Sequence, residues 1–98
     1  MRQPEALPRF RLDKWLWQAR FFKTRAEAAA LISKGRVRVN GARTSKPGCG
    51  IICGDVLTFP QGDGVRLIRV AGFGVRRGPF SEAQTLYIDM DAAPTPLE

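Results

Sequence analysis

The chain has 98 residues, enough for one small domain with a modest core but too few for a spacious active-site cleft as well. Its 16 Lys and Arg against 9 Asp and Glu give a formal net charge of +7, and it has no His, so the commonest general acid–base is missing. No apolar run approaches the roughly 20 residues needed to span a bilayer, and residues 1–8 hold no signal-peptide core, so the expectation is a soluble, cytoplasmic protein that does not enter a membrane.

The charge is regional. Residues 1–47 carry twelve basic and three acidic side chains, whereas residues 48–98 carry four and six. A strongly basic half favours a polyanionic partner, because Lys and Arg placed against phosphates release condensed counterions. Nucleic acid leads, with an anionic membrane surface second.

Residues 1–8, MRQPEALP, are expected to form a loose leader. From there Leu12, Trp15, Leu16 and Ala19 follow the i, i+3, i+4, i+7 spacing of one helical face, predicting a first helix with that stripe in the core. Asp13 falls in its first turn, where a negative charge suits the positive end of the helix dipole. Lys14, Trp17 and Arg20 lie off the stripe. Trp17 could stack on an RNA base, but packing beneath a later segment is the preferred expectation. Phe21, Phe22 and Lys23 connect to a second helix beginning at about Arg25, where Thr24 and Glu27 have capping-box spacing. Ala28, Leu31 and Ile32 form its expected inner face, and Gly35 its left-handed C-cap.

At Arg36–Asn40 the period changes to two, with Val37 and Val39 inward and Arg36 and Arg38 outward. Asn40-Gly41 signals a type I′ hairpin, placing a partner strand near residues 42–44. Lys46, Pro47 and Gly48 end that strand, Ile51 and Ile52 return to the core, Gly54 and Asp55 turn the chain, and residues 56–59 make another strand. A hairpin loop at residues 61–64 leads to a strand over residues 65–71, with Arg66 expected outward and Val65, Leu67 and Arg69 inward. Gly72–Gly78, with Arg76 and Arg77, is expected to be a flexible basic loop. Ser81 and Gln84 suggest another capping box and a short helix from about Glu82 to Asp89, although residues 86–88 could also be strand. The end, DAAPTPLE, is expected to be disordered. The expected divisions are therefore 1–8, 9–71 and 72–98.

Candidate chemistry is sparse. Cys49 and Cys53 form a C-x-x-x-C pair, half a zinc site at most, so reduced structural thiols are expected, with no metal and no cofactor. No nucleophile–base constellation can be assembled, so no catalytic residue is assigned. The start of the second helix is the informative place: free N–H groups and the dipole favour an anion there, with Lys23, Thr24 and Arg25 together. Lys34 and Arg36 flank the other end of that helix, and Arg38 and Asn40 extend the surface onto the hairpin. From Arg9 to Lys46, eleven basic residues meet only Asp13 and Glu27. A competing class is a small adaptor that docks a protein partner through exposed Trp17, Phe73 and Phe80.

The runs RLDKWLW, FKTRAEA, KGRVRVNG, K-P and G-D-V resemble the S-four RNA-binding domain, also called the alpha-L motif. RLDKWLW and FFKTR, together with RRGPFSEAQTLY, are closer still to the ribosome-associated heat-shock protein 15 family; the likeness covers about residues 9–89. The resemblance implies an α+β fold of two N-terminal helices on a small, mainly antiparallel β-sheet, to which the chain adds a short C-terminal helix. It also implies ribosomal RNA binding through Arg11, Lys14, Lys23, Thr24, Arg25, Lys34, Arg36, Arg38 and Asn40. The implied partner is the large ribosomal subunit, rescued when peptidyl-tRNA blocks it, and the protein is expected to act as a non-enzymatic monomer. Members of that family can carry a longer basic C-terminal tail, whereas this chain has the acidic, proline-bearing DAAPTPLE.

Overall fold

The computed structural model describes residues 9–74 and 77–90. In chain order these form β1 (Phe10–Arg11), α1 (Leu12–Gln18), α2 (Arg25–Ser33), β2 (Val37–Val39), β3 (Ala42–Thr44), β4 (Gly50–Ile51), β5 (Val56–Gln61), β6 (Gly64–Val70), α3 (Phe80–Ala83) and β7 (Tyr87–Asp89). A 3-10 turn, Gln84–Leu86, continues α3. The class is α+β, as expected. Five strands make an antiparallel sheet in the order β3-β2-β5-β6-β7, and β1 pairs with β4 in a separate two-stranded ribbon.

The apolar spacing of α1 does what its period requires: Leu12, Trp15, Leu16 and Ala19 are all buried. Ala28 and Ile32 of α2 are buried beside them, and Leu31 packs partly buried against the same core. The sheet contributes Val37, Leu57, Phe59, Ile68 and Val70. Phe21 joins the layers, its ring 6.1 Å from Trp15, 5.3 Å from Phe59 and 4.6 Å from Tyr87. The indole N–H of Trp15, which could not remain unpaired in such a core, donates to the Gly72 carbonyl at 2.8 Å.

Both helices stop in the same way. After α2, Gly35 takes φ +73°, its N–H donates to the Ile32 carbonyl and that of Arg36 to Leu31, the double closure of a Schellman motif. After α1, Arg20 and Phe21 make the equivalent bonds to Trp17 and Leu16, but the left-handed residue is Arg20, at φ 66°. A side chain there costs on the order of 1–2 kcal/mol relative to right-handed backbone. Its guanidinium is held by the Gly78 carbonyl at 2.6 Å.

The Asn40-Gly41 turn has φ 53° and 87°, the type I′ signature, and places Val39 opposite Ala42 as the dipeptide predicts.

Three expectations need correction. In β6 the facing is reversed: Ile68 and Val70 are buried, whereas Val65 and Arg69 are exposed. The hairpin sets this parity. With Gln61 opposite Gly64, Arg66 pairs with buried Phe59 and Ile68 with buried Leu57, so the even-numbered residues share the inner face.

The C-terminal helix is shorter and earlier than expected. Pro79 occupies its N-cap, Ser81 lies inside the first turn, and Tyr87–Asp89 leaves as β7 to pair with β6. A proline at the cap sets the backbone without a side-chain acceptor, which the Ser81–Gln84 spacing could not disclose.

The described parts of the Gly72–Gly78 segment are tied down. Phe73 stacks on Phe10 with ring centres 4.1 Å apart, and Gly72 N–H donates to Leu86 at 3.1 Å. Arg77 donates to the Trp17 carbonyl at 3.0 Å and the Phe22 carbonyl at 3.3 Å, with its guanidinium 5.7 Å from the Trp17 ring centre. Trp17 therefore packs against a later segment, the preferred expectation. The leader, Arg76 and the tail DAAPTPLE lie outside the described residues.

Candidate nucleic-acid interface

The expected anion site begins at α2. Thr24 has extended backbone, and its hydroxyl accepts from the Glu27 N–H at 3.0 Å, the N-cap that the sequence predicts. Lys23, Thr24 and Arg25 are all exposed. Arg25, however, is not an isolated cation: its Nε lies 3.4 Å from Asp13 Oδ2.

Asp13 gathers the N-terminal end of this surface. Its side chain is only 5 % exposed. Arg11 grips it with two N–H groups, Nε to Oδ1 and Nη2 to Oδ2, each at 3.1 Å, and the Lys14 backbone N–H donates to Oδ1 at 2.7 Å. Burial pushes the Asp13 carboxyl pKa upward, but the Arg11 hydrogen bond, the Lys14 N–H and the charges of Arg25 and Arg11 together hold it below the ordinary carboxylate value. The same hydrogen bond and charge raise the Arg11 pKa.

The loop after β3 completes this corner. The first two N–H groups of α1, on Leu12 and Asp13, donate to the carbonyls of Cys49 and Pro47 at 2.9 and 3.0 Å. The helix is thus capped by backbone 34 to 37 residues further along the chain. Gly48 lies beside the Arg11 guanidinium, so that a Cβ there would approach its Cζ to 3.4 Å. Lys14, half-buried, holds its ammonium 5.8 Å from the Phe10 ring centre.

At the other end of α2, Lys34 forms the C-cap and Arg36 leads into β2, both exposed. Arg38 lies directly opposite Arg43 across β2 and β3, and both are exposed. Like charges at opposed positions destabilise a strand pair, and an anion bound over them would relieve the repulsion. Asn40 has a different place: its amide donates to Asp55 Oδ1 at 3.0 Å and accepts from the Val56 N–H at 2.9 Å, linking the hairpin turn to β5.

Arg43 stands outside the residues to which the sequence points. Its signal was present, because a two-residue Asn-Gly turn forces residues 38 and 43 into register. The convergence of Arg11 and Arg25 on Asp13 had no comparable signal.

Among the described residues, no group of three or more Cys, Asp or Glu gathers to hold a metal, and Cys49 and Cys53 are free thiols. Among the same residues no helix is long and apolar enough to cross a membrane.

Two short helices on an antiparallel sheet, with a cationic arc at the helix ends and the first hairpin, are the features of an S4-domain protein. The S4 domain model matches residues 10–48, the span that carries this arc. Heat shock protein 15 of Escherichia coli K12 is 48% identical over 77 residues, covering 79% of this chain and 57% of that protein. The chain thus spans little more than half the length of this relative. The trimeric structure of Vibrio cholerae Heat Shock Protein 15 matches with a TM-score of 0.80 and 38% identity, covering 87% of this chain and 85% of that one. The chain belongs to the heat shock protein 15 family. A more distant relative, the RQC P-site tRNA stabilizing factor of Listeria innocua, is 44% identical over 52 residues, covering 53% of this chain and 55% of that protein. The expectation of a monomer gains no support from a relative described as trimeric.

Proposed function

We propose that this chain binds ribosomal RNA on the large ribosomal subunit in the cytoplasm, without catalysing a reaction. In this reading it helps to rescue subunits blocked by peptidyl-tRNA. Lys23, Lys34, Arg36, Arg38 and Arg43 contact phosphates, Arg11 and Lys14 at the start of α1 and Arg25 at the start of α2 complete the arc, and Thr24 and Asn40 hold the backbone that presents it. The observation that carries the RNA reading is the exposed pairing of Arg38 with Arg43 beside Lys34 and Arg36. Association with the ribosome is supported by the name of one relative, a P-site tRNA stabilizing factor, while the large subunit and its blocked state follow from the family resemblance.

The adaptor reading has less behind it. Trp17 lies beneath Arg77 and Phe73 is stacked on Phe10, leaving Phe80, 58% exposed, as the free aromatic of the three.

Co-sedimentation with purified large subunits, with and without peptidyl-tRNA, tests the proposal. Engagement of about six phosphates makes log affinity fall by about 4–5 for each log unit of salt. A salt-insensitive association would point to an apolar protein interface instead. Equal affinity for empty and blocked subunits would remove the rescue role and leave RNA binding.

A further inference from the structure

The Asp13 cluster is more than a charge pair between two helices. Three N–H donors converge on one carboxylate, two from Arg11 and one from the Lys14 backbone, and Arg25 Nε forms an ion pair with it at 3.4 Å. The carboxylate is fixed from behind, because the N–H of the same residue is held by the Pro47 carbonyl. Arg11 and Arg25 meet at a single oxygen, Oδ2, yet their side chains remain 55% and 43% exposed. Two guanidiniums brought this close repel each other; a buried carboxylate between them offsets that repulsion, fixes the Arg11 fork through two hydrogen bonds and holds Arg25 beside it by charge.

We propose that Asp13 is a positioning residue of the RNA site: its carboxylate aligns Arg11 and Arg25 so that their remaining N–H edges converge on one phosphodiester group. The inference rests on the RNA-binding reading above and extends it to a residue whose own charge has the wrong sign for RNA. Arg11 gives one edge to Asp13 and Arg25 turns its Nε toward it, which leaves their other N–H groups for the ligand, so acid, arginines and phosphate alternate in charge outward from the core.

The sign of the Asp13→Asn effect separates positioning from simple charge. That substitution makes the protein more basic by one unit, so charge alone predicts tighter RNA binding and a steeper salt slope. Positioning predicts the reverse: affinity for purified large subunits falls about tenfold, the size of a lost charge-assisted hydrogen bond, with the circular dichroism spectrum retained. Glu27→Gln makes the same change in charge outside the cluster and should bind as tightly as the parent, or more so.

Arg25→Lys decides the matter if Asp13→Asn does not fold. It keeps the charge but lacks the fork, so affinity again falls about tenfold. A parent protein that fails to bind large subunits at low salt would overturn both the RNA reading and this inference. Parent-like or tighter binding by the folded Asp13→Asn protein, or by Arg25→Lys where Asp13→Asn does not fold, would overturn the inference alone.

Discussion

The two halves of the molecule put most of their arginines to different uses, Arg20 and Arg69 being the exceptions. In residues 10–48, Arg36, Arg38 and Arg43 stand exposed at the end of α2 and on the first hairpin. In residues 50–90, Arg66 and Arg77 work within the fold, while Arg69 is exposed. Arg66 lies on the inner face of β6, donates to Gln61 at 3.0 Å and to Asp89 at 2.7 Å, and sits 5.0 Å from the Phe21 ring centre. Arg77 satisfies two carbonyls at the end of α1 and in the turn that follows it. The contrast teaches that the partners a fold supplies, and not the count of arginines, decide how much of each guanidinium remains open to solvent. Arg11 and Arg25 stand between the two cases.

The most severe way to break the comparison is to remove the packing on which both halves depend. Leu16→Ala, at a fully buried site, should lower stability by about 2–5 kcal/mol in denaturant unfolding. A change within error would mean that α1 is not seated as described.

A sharper test crosses the halves. Lys23→Ala with Arg36→Ala should weaken RNA binding by about 2 kcal/mol and leave the melting temperature nearly unchanged. Arg66→Ala should do the converse, costing about 1 kcal/mol of stability while preserving affinity. If both proteins lost affinity equally, the division between outward and inward arginines would fail.

The smallest expected effect concerns Gln18, which is 1% exposed and whose amide has no hydrogen-bond partner among the described residues. Gln18→Met preserves length and removes the unpaired groups, so stability should rise by roughly 1 kcal/mol. A lower melting temperature would show that the amide is paired.

Much of the first half was legible because its signals are local. The stripe at Leu12, Trp15, Leu16 and Ala19, the Thr24 cap, the Gly35 stop and the Asn40-Gly41 turn each depend on neighbours a few residues away. The failures come from long-range partners. Pairing of Phe10 with Ile51 needs the whole intervening chain, and residues 87–89 become a strand because the edge of β6 is there to receive them. Charge alone would turn Arg66 toward solvent, but Asp89 and Phe21 give it a partnered inner position. For the candidate site, the exposed cations could be selected by residue type, whereas the sharing of Asp13 required the packing of α1 against α2.

The backbone cap on α1 also has a consequence for folding. Seven residues are too few for a helix to persist alone in water, and the carbonyls that close its first turn come from the loop before β4. Arg11, Asp13 and Lys14 therefore reach their places only when strands far along the chain have assembled. The part of the cationic arc at the start of α1 is thus tied to the loop before β4 rather than to its own short helix.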